Sequence, residues 1–351
     1  MRALTKLCVK PSLAAICLMA VLAVSSTAFA QKYSQTNLVS DMPGVAAVTD
    51  PNLINPWGMS FSSSSPFWIS DAGTGLSTLY TGTGSIIPLV VTIPPPVGSA
   101  IPSIPTGQVF NGTSNFVVTA NGVSAPALFL FVTINGTIAG WNPTVDGTHA
   151  VTAVDNSALG SIYTGLASAN TAAGSFLYAA NFKDGSVEMY DSNFQLVKTF
   201  TDTDLPLGYA PFGIRNIKGK LYVAYAKQSP GAGRGFVDVF SIHGQKLSTL
   251  ISHGALNNPW GLTLAPAGFG KFSGSLLVGN FGNGRINAYD PASGAFLGSL
   301  RDSKNAPIVL DGLWALEFGN GHAAGKRNLL YFTSGPGQEA HGLFGSLQPI
   351  E

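Results

Sequence analysis

Hydrophobic positions along this chain come in short alternating bursts and not in helical stripes. Residues 176–191 read FLYAANFKDGSVEMYD and residues 276–290 read LLVGNFGNGRINAYD. In each, a β-rich run meets a glycine-containing turn and a second run closes on Tyr-Asp, which is the pattern of a hairpin. Shorter alternating runs follow at 196–200, 246–251 and 295–300. No stretch sustains the 3.6-residue spacing of a buried helical face, so a helical solenoid is excluded.

The bursts repeat. Asn55-Pro56-Trp57-Gly58-Met59 returns as Asn258-Pro259-Trp260-Gly261-Leu262 and as Ala210-Pro211-Phe212-Gly213-Ile214. Looser copies stand at Thr164-Gly165-Leu166, at Asp311-Gly312-Leu313-Trp314 and near Thr106-Gly107-Gln108. Anchoring on Gly58, Gly107, Gly165, Gly213, Gly261 and Gly312 gives six copies of about fifty residues each, a period that signals a repeat architecture. Each copy supplies a first strand, two strands joined by a hairpin, and an outer strand. The expected fold is all-β: a six-bladed β-propeller of four-stranded antiparallel blades, an arrangement that leaves only short sheet edges.

The chain ends decide how the ring closes. The last copy holds three strands, at 313–318, 328–333 and 342–348, and lacks an outer one. Residues 33–41, YSQTNLVSD, read as a strand with no copy of its own. The N-terminal strand is therefore expected to pair with the last blade and lock the ring.

The first thirty residues differ in kind. Arg2, Lys6 and Lys10 precede an apolar run from Leu13 to Val24, and Ala28-Phe29-Ala30 offers small residues where a signal peptidase cuts. That run is shorter than the roughly 20 residues needed to cross a bilayer. Residues 1–30 are read as a secretory signal and 31–351 as one propeller domain, secreted or periplasmic. Both cysteines, Cys8 and Cys17, fall in the signal, so no disulfide is expected in the domain. Hydrophobic residues make up 45% of the 351 and charged residues 10%, which excludes an extended disordered chain. The formal net charge of +1 and the lack of dense basic runs exclude nucleic acid as a partner.

Together, the Asn-Pro-Trp-Gly phrases, the Ala-Asn-Phe-Lys-Asp-Gly and Gly-Asn-Phe-Gly-Asn-Gly hairpins and the export signal resemble an uncharacterised bacterial family of secreted propellers. That family is related at fold level to NHL-repeat proteins. The resemblance implies the fold and brings no activity. Propeller enzymes of the gluconolactonase group hold a divalent metal on the axis with Glu, Asn and Asp, but their motif does not match here.

Topology indicates where a site is expected. In a propeller the connections leading into the first strands share one face with the hairpins joining second and third strands, and ligand sites are expected there. One set of residues, Asn55, Trp57, Arg215, Asn258, Trp260, Asp311 and Trp314, comes from the first-strand phrases. The hairpins add Asp71, Asn181, Lys183, Asp184, Asn280, Asn283, Glu339 and His341. Asp71, Asn181 and Asn280 stand at equivalent places and are the candidate metal ligands, for Ca²⁺ as a hard cation that takes oxygens. The same residue types are what tight turns ask for, and the tryptophans are expected to act as packing wedges between blades. Asp311, Arg215, Glu339 and His341 are unrepeated and are the catalytic candidates, with His341 and Glu339 as a base and its partner. No Gly-x-Ser-x-Gly, His-Glu-x-x-His, phosphate loop or Cys-x-x-Cys is present. The expected function is a binding or interaction scaffold that takes a small molecule or protein at the mouth. The alternative is a metal-dependent hydrolase or lyase of the lactonase type. The domain is expected to be monomeric and without a membrane span.

Overall fold

Each repeat folds as one antiparallel sheet, and six such sheets surround an axis in a computed structural model that describes residues 32–172, 174–229 and 234–350. Blade 1 shows the plan, from the axis outward: Pro56–Ser60, Phe67–Asp71, Leu76–Tyr80 and Ile86–Thr92. The first strands of blades 2 to 6 are Pro105–Phe110, Tyr163–Thr171, Tyr209–Ile217, Pro259–Leu264 and Leu313–Phe318. Second and third strands are buried nearly throughout, because both faces of each sheet pack against neighbouring blades. The apolar core accordingly lies between blades: Leu177 and Tyr190 of blade 3 pack with Val132 and Ile138 of blade 2. No described helix is long and apolar enough to cross a membrane.

The ring closes as the sequence predicts. Lys32–Ser40 pairs antiparallel with Leu343–Ile350, in register from Lys32 opposite Ile350 to Ser40 opposite Leu343. The buried Tyr33 fixes that strand from the other side by donating its hydroxyl to the Phe269 carbonyl of blade 5, at 3.2 Å. A two-residue strand, Val48–Thr49, then runs parallel to the first, making this sheet five-stranded. The expected signal at residues 1–30 lies outside the described residues.

Two details of the repeat need correction. The interval from Gly107 to Gly165 exceeds the other intervals because of an insertion: Val117–Ala120 and Val123–Pro126 form a separate ribbon between the first and second strands of blade 2. Its Val118 and the adjoining Phe116 and Ala127 fill the seam toward blade 3. In blade 6 the anchor is misplaced. Trp314 occupies the place of Trp57 and Trp260, so Ala315, not Gly312, follows it in the ring. Gly312 has φ of +63° and belongs to the preceding turn. The Asp-Gly pair imitates the repeat phrase by chance of spacing.

Candidate functional site: the axial channel

The glycine of each repeat is a steric requirement of the axis. A Cβ on Gly213 would stand 2.1 Å from the Trp260 carbonyl oxygen, and one on Gly58 2.3 Å from that of Thr106. Gly107 and Gly261 meet neighbouring backbone in the same way, at 2.3 Å from the Leu166 nitrogen and 2.5 Å from the Trp314 oxygen. A side chain there would push the first strands apart, so the repeat motif is first a rule for packing strands around an axis.

The residue before that glycine points onto the axis. Trp57, Phe212, Trp260 and Trp314 converge there in one cluster with Phe182, Phe281, Ile104 and Ile134. Trp57 and Trp314 stack at 3.5 Å between ring centroids, and Phe281 stacks on Trp314 at 4.2 Å. Trp260 meets both tryptophans edge-on. Two indoles are also held by hydrogen bonds: Trp260 Nε1 donates to the Thr164 carbonyl at 2.9 Å and Trp314 Nε1 to Asn55 Oδ1 at 3.0 Å. The tryptophans are thus not wedges between blades. They plug the channel, and they do so at the end where the ligand mouth was expected.

Beyond the glycine ring the channel widens into a cavity of about 330 Å³, lined by the second halves of the first strands. It opens at the opposite face, where first strands turn into second strands. The lining is mixed: Val109 and Phe110 stand beside Ser60, Gln108, Ser168 and Asn216, while Met59, Ile214 and Leu316 bury their side chains between blades. Gln108 crosses between blades, donating from Nε2 to the Gly58 and Trp68 carbonyls at 2.9 and 2.8 Å.

Two charged side chains enter this cavity. Arg215 of blade 4 and Glu317 of blade 6 form a two-pronged ion pair: Nη2 donates to Oε1 at 2.6 Å and Nη1 pairs with Oε2. Burial alone would lower the affinity of the guanidinium for its proton, but the carboxylate and its hydrogen bond hold Arg215 above its ordinary value. Arg215 therefore keeps its charge in the cavity. Arg215 has five N–H groups, and the fork uses two, so three remain to donate.

Arg215 therefore belongs to the site but not to the expected mouth. It sits two residues past the blade 4 glycine, toward the opposite face. Glu317 escaped sequence reading. The signal that reveals both is the column two residues after the glycine ring: Ser60, Val109, Ala167, Arg215, Thr263 and Glu317. Two opposite charges stand in a column otherwise small or apolar.

Apart from Trp260, which also borders the cavity, the other candidates do not line it. Glu339 accepts from Asn55 Nδ2 at 2.8 Å, and so supports the amide that holds Trp314. His341 Nδ1 lies 2.8 Å from Asp41 Oδ2, and Asp311 Oδ2 accepts from the Gly337 N–H at 2.9 Å. These three serve separate partners. Asn55 and Asn258 carry left-handed backbone, with φ of +47° and +48°. In the hairpins Gly75, Gly136, Gly185 and Gly284 are left-handed, and in blade 6 so are Gly337, Gln338 and Glu339 itself. Lys183 Nζ donates to the Leu159 carbonyl, and Asn283 Oδ1 accepts from the Arg285 N–H at 3.2 Å.

Asp71, Asn181 and Asn280 are fully buried at equivalent strand ends, each engaged locally. Asp71 Oδ2 accepts from the N–H and hydroxyl of Thr78 at 3.1 and 2.8 Å, and burial, with Asp50 nearby, raises its carboxyl well above the usual range. Asn181 Nδ2 donates to Glu188 Oε1 and Asp184 Oδ2 at 2.7 and 2.9 Å. Asn280 Oδ1 accepts from the Asn257 N–H at 2.8 Å, and its amide reaches the Arg285 carbonyl at 3.2 Å. Their neighbours in sequence, Phe182 and Phe281, are the plug.

Six four-stranded sheets closed by the N-terminal strand place the chain in the class of six-bladed β-propellers. No protein-family model matches it. It belongs to the same family as two uncharacterised proteins of Acanthamoeba polyphaga mimivirus, each 34% identical over 326 residues. Both alignments cover 88% of this chain, with 78% of one relative and 84% of the other. These relatives are viral and lend no support to a bacterial grouping. Among solved structures, a streptogramin B lyase matches with a TM-score of 0.53 at 13% identity, over 91% of this chain and 98% of its own. A luciferin-regenerating enzyme matches with a TM-score of 0.53 at 12% identity, over 85% and 91%. At such identities the likeness is one of fold alone.

Proposed function

We propose that this protein is a binding propeller that takes a small molecule in its axial cavity. The observation that supports this most is the pairing of a dead-ended cavity with a guanidinium that keeps unused donors. An aromatic plug closes one end, and Arg215 faces the space with N–H groups beyond those its fork with Glu317 uses. A concave pocket with a few convergent polar groups is the usual form of a ligand site. We also propose, from residues 1–30, that the domain works outside the cytoplasm.

The lactonase reading requires several oxygen ligands around one point. Glu317 is the carboxylate lining the cavity, and Arg215 occupies both its oxygens. Among the described residues no three Asp, Glu, His or Cys side chains gather as a metal set. The donor set does not fit a divalent cation, and binding is the better-supported reading.

A thermal-melting screen with small-molecule probes tests this. Ser168 lines the cavity and is partly exposed, so Ser168→Trp fills the space with little disturbance of the core. Compounds that raise the wild-type melting temperature should lose that effect in the variant. Stabilisation that survives the filling places the site elsewhere.

A further inference from the structure

The charges around the open end of the cavity are sorted by sign. Six turns join first to second strands on that face, and those of blades 5 and 6 reach outward along the seams, where Phe269 accepts from Tyr33 and Ala323 from the Gly82 N–H. The residues of the six turns include Lys218, Lys271, Lys326, Arg327 and His322, with Lys220 just beyond, and not one Asp or Glu. Lys218, Lys220, Lys271, Lys326 and Arg327 are all exposed, and they cluster on blades 4, 5 and 6. The corresponding turns of blades 1 to 3 carry no charge of either sign.

The acids of the same face lie farther out, in the turns between third and outer strands, and are turned inward on their own backbone. Asp146 Oδ1 accepts from the Thr148 and His149 N–H groups, both at 2.9 Å. Asp191 Oδ1 takes the Asn193 and Gln195 N–H groups at 2.8 and 2.9 Å, and Asp290 Oδ1 the Ala292 and Ser293 N–H groups at 3.1 and 2.7 Å. No ion pair joins these acids to Lys218, Lys220, Lys326 or Arg327. These turns thus give the face exposed positive charge, in a chain whose formal net charge is only +1.

Arg215 and Glu317 come from the same three blades. The fork takes one contact on each carboxylate oxygen and two of the five N–H groups, so the guanidinium keeps three donors. A ligand that brings acceptors can use them. Cations within about a Debye length of an opening, roughly 8–10 Å at ordinary salt, raise the local concentration and association rate of an anion.

We propose that the ligand of the axial cavity is a compact organic anion, an apolar body bearing a carboxylate, sulfonate or phosphate group, which enters through the face of the first-to-second-strand turns and meets Arg215. This rests on the axial cavity being the binding site. The anionic head meets the open N–H groups of Arg215, and the body takes the space beside Val109, Phe110 and Ser168.

Two probes that differ in one group separate the two questions. Anilinonaphthalene sulfonate carries the anion, and N-phenylnaphthylamine is its uncharged counterpart. Both are titrated into the full chain by fluorescence and calorimetry, at low and at physiological salt. The sulfonate should bind one per chain and about 10- to 100-fold more tightly than the amine, the value of a charge-assisted hydrogen bond. Replacing the whole pair, Arg215→Met with Glu317→Met, should abolish that preference and leave amine binding in place. The surface variant Lys326→Gln with Arg327→Gln, which touches no core, should weaken the sulfonate at low salt and not the amine. Equal binding of both probes, unmoved by either variant, overturns the anion while leaving the cavity reading intact. If neither probe binds, the cavity reading fails and this inference with it.

Discussion

Trp57 of blade 1 and Trp314 of blade 6 stack across the axis with ring centroids 3.5 Å apart and planes 20° from parallel. The first and last repeats are thus joined at the centre of the ring as well as at its edge. Trp314 is 1% exposed and also receives Phe281, Phe212 and Trp260. Trp314→Ala should cost about 3–5 kcal/mol, the usual price of deleting a buried aromatic. Denaturant unfolding measures it. A cost below about 1 kcal/mol would mean that the plug is not a structural element.

Closure by the N-terminal strand gives a second test. Deleting residues 32–40 bares the edge of Leu343–Ile350 and removes the buried Tyr33 and Val39. Unfolding should lose cooperativity and begin at a lower temperature. A truncated domain that melts like the full one contradicts the closure.

Asn181 separates a turn residue from a network residue. If it served only its hairpin, Asn181→Gly would be nearly neutral, since glycine relaxes the backbone. Its φ is not left-handed, however, and its amide supports Glu188, which also accepts from Tyr163 at 2.7 Å and from Tyr190. The variant should lose about 1–3 kcal/mol by leaving a buried carboxylate oxygen without its donor.

Asp238 makes stability depend on pH near neutrality. Burial, with Asp202 beside it, pushes its carboxyl up to about 7. The folded state then binds that proton more tightly than the unfolded state, where an Asp titrates near 3.9. This contribution is full below about pH 4 and is lost as pH rises through 7. Asp202 acts in the opposite sense: burial opposes its charge, but Lys246 at 2.5 Å holds it below its ordinary value, so its contribution is lost on acidification. Asp238→Asn should raise stability at pH 8 by roughly 1–3 kcal/mol and flatten the fall between pH 5 and 8. An unchanged pH profile would show that Asp238 ionises normally.

Most of the fold was legible because its markers are steric. Gly58, Gly107, Gly165, Gly213 and Gly261 recur because first strands meet at backbone distance around an axis, and a rule of that kind is written into five of the six copies. Blade 6 was misread where the rule relaxes: Ala315 fills the glycine place, and Asp311-Gly312 stands close enough to be mistaken for it. The site was legible in part. Arg215 was picked out as unrepeated but assigned to the wrong end of its strand, because the tryptophans' convergence into a plug depends on side-chain direction at a bulge in each first strand. Glu317 pairs with a residue 102 positions away, and no local pattern announces such a partner.

The most direct test is the crystal structure of the full chain with anilinonaphthalene sulfonate bound at saturation. The account predicts one probe in the cavity between Ala167 and Leu316, with its sulfonate within hydrogen-bond distance of Arg215 and its route open to the face of Lys326 and Arg327. A probe seated instead over Trp57 and Trp260 on the hairpin face, with the cavity empty, would contradict it.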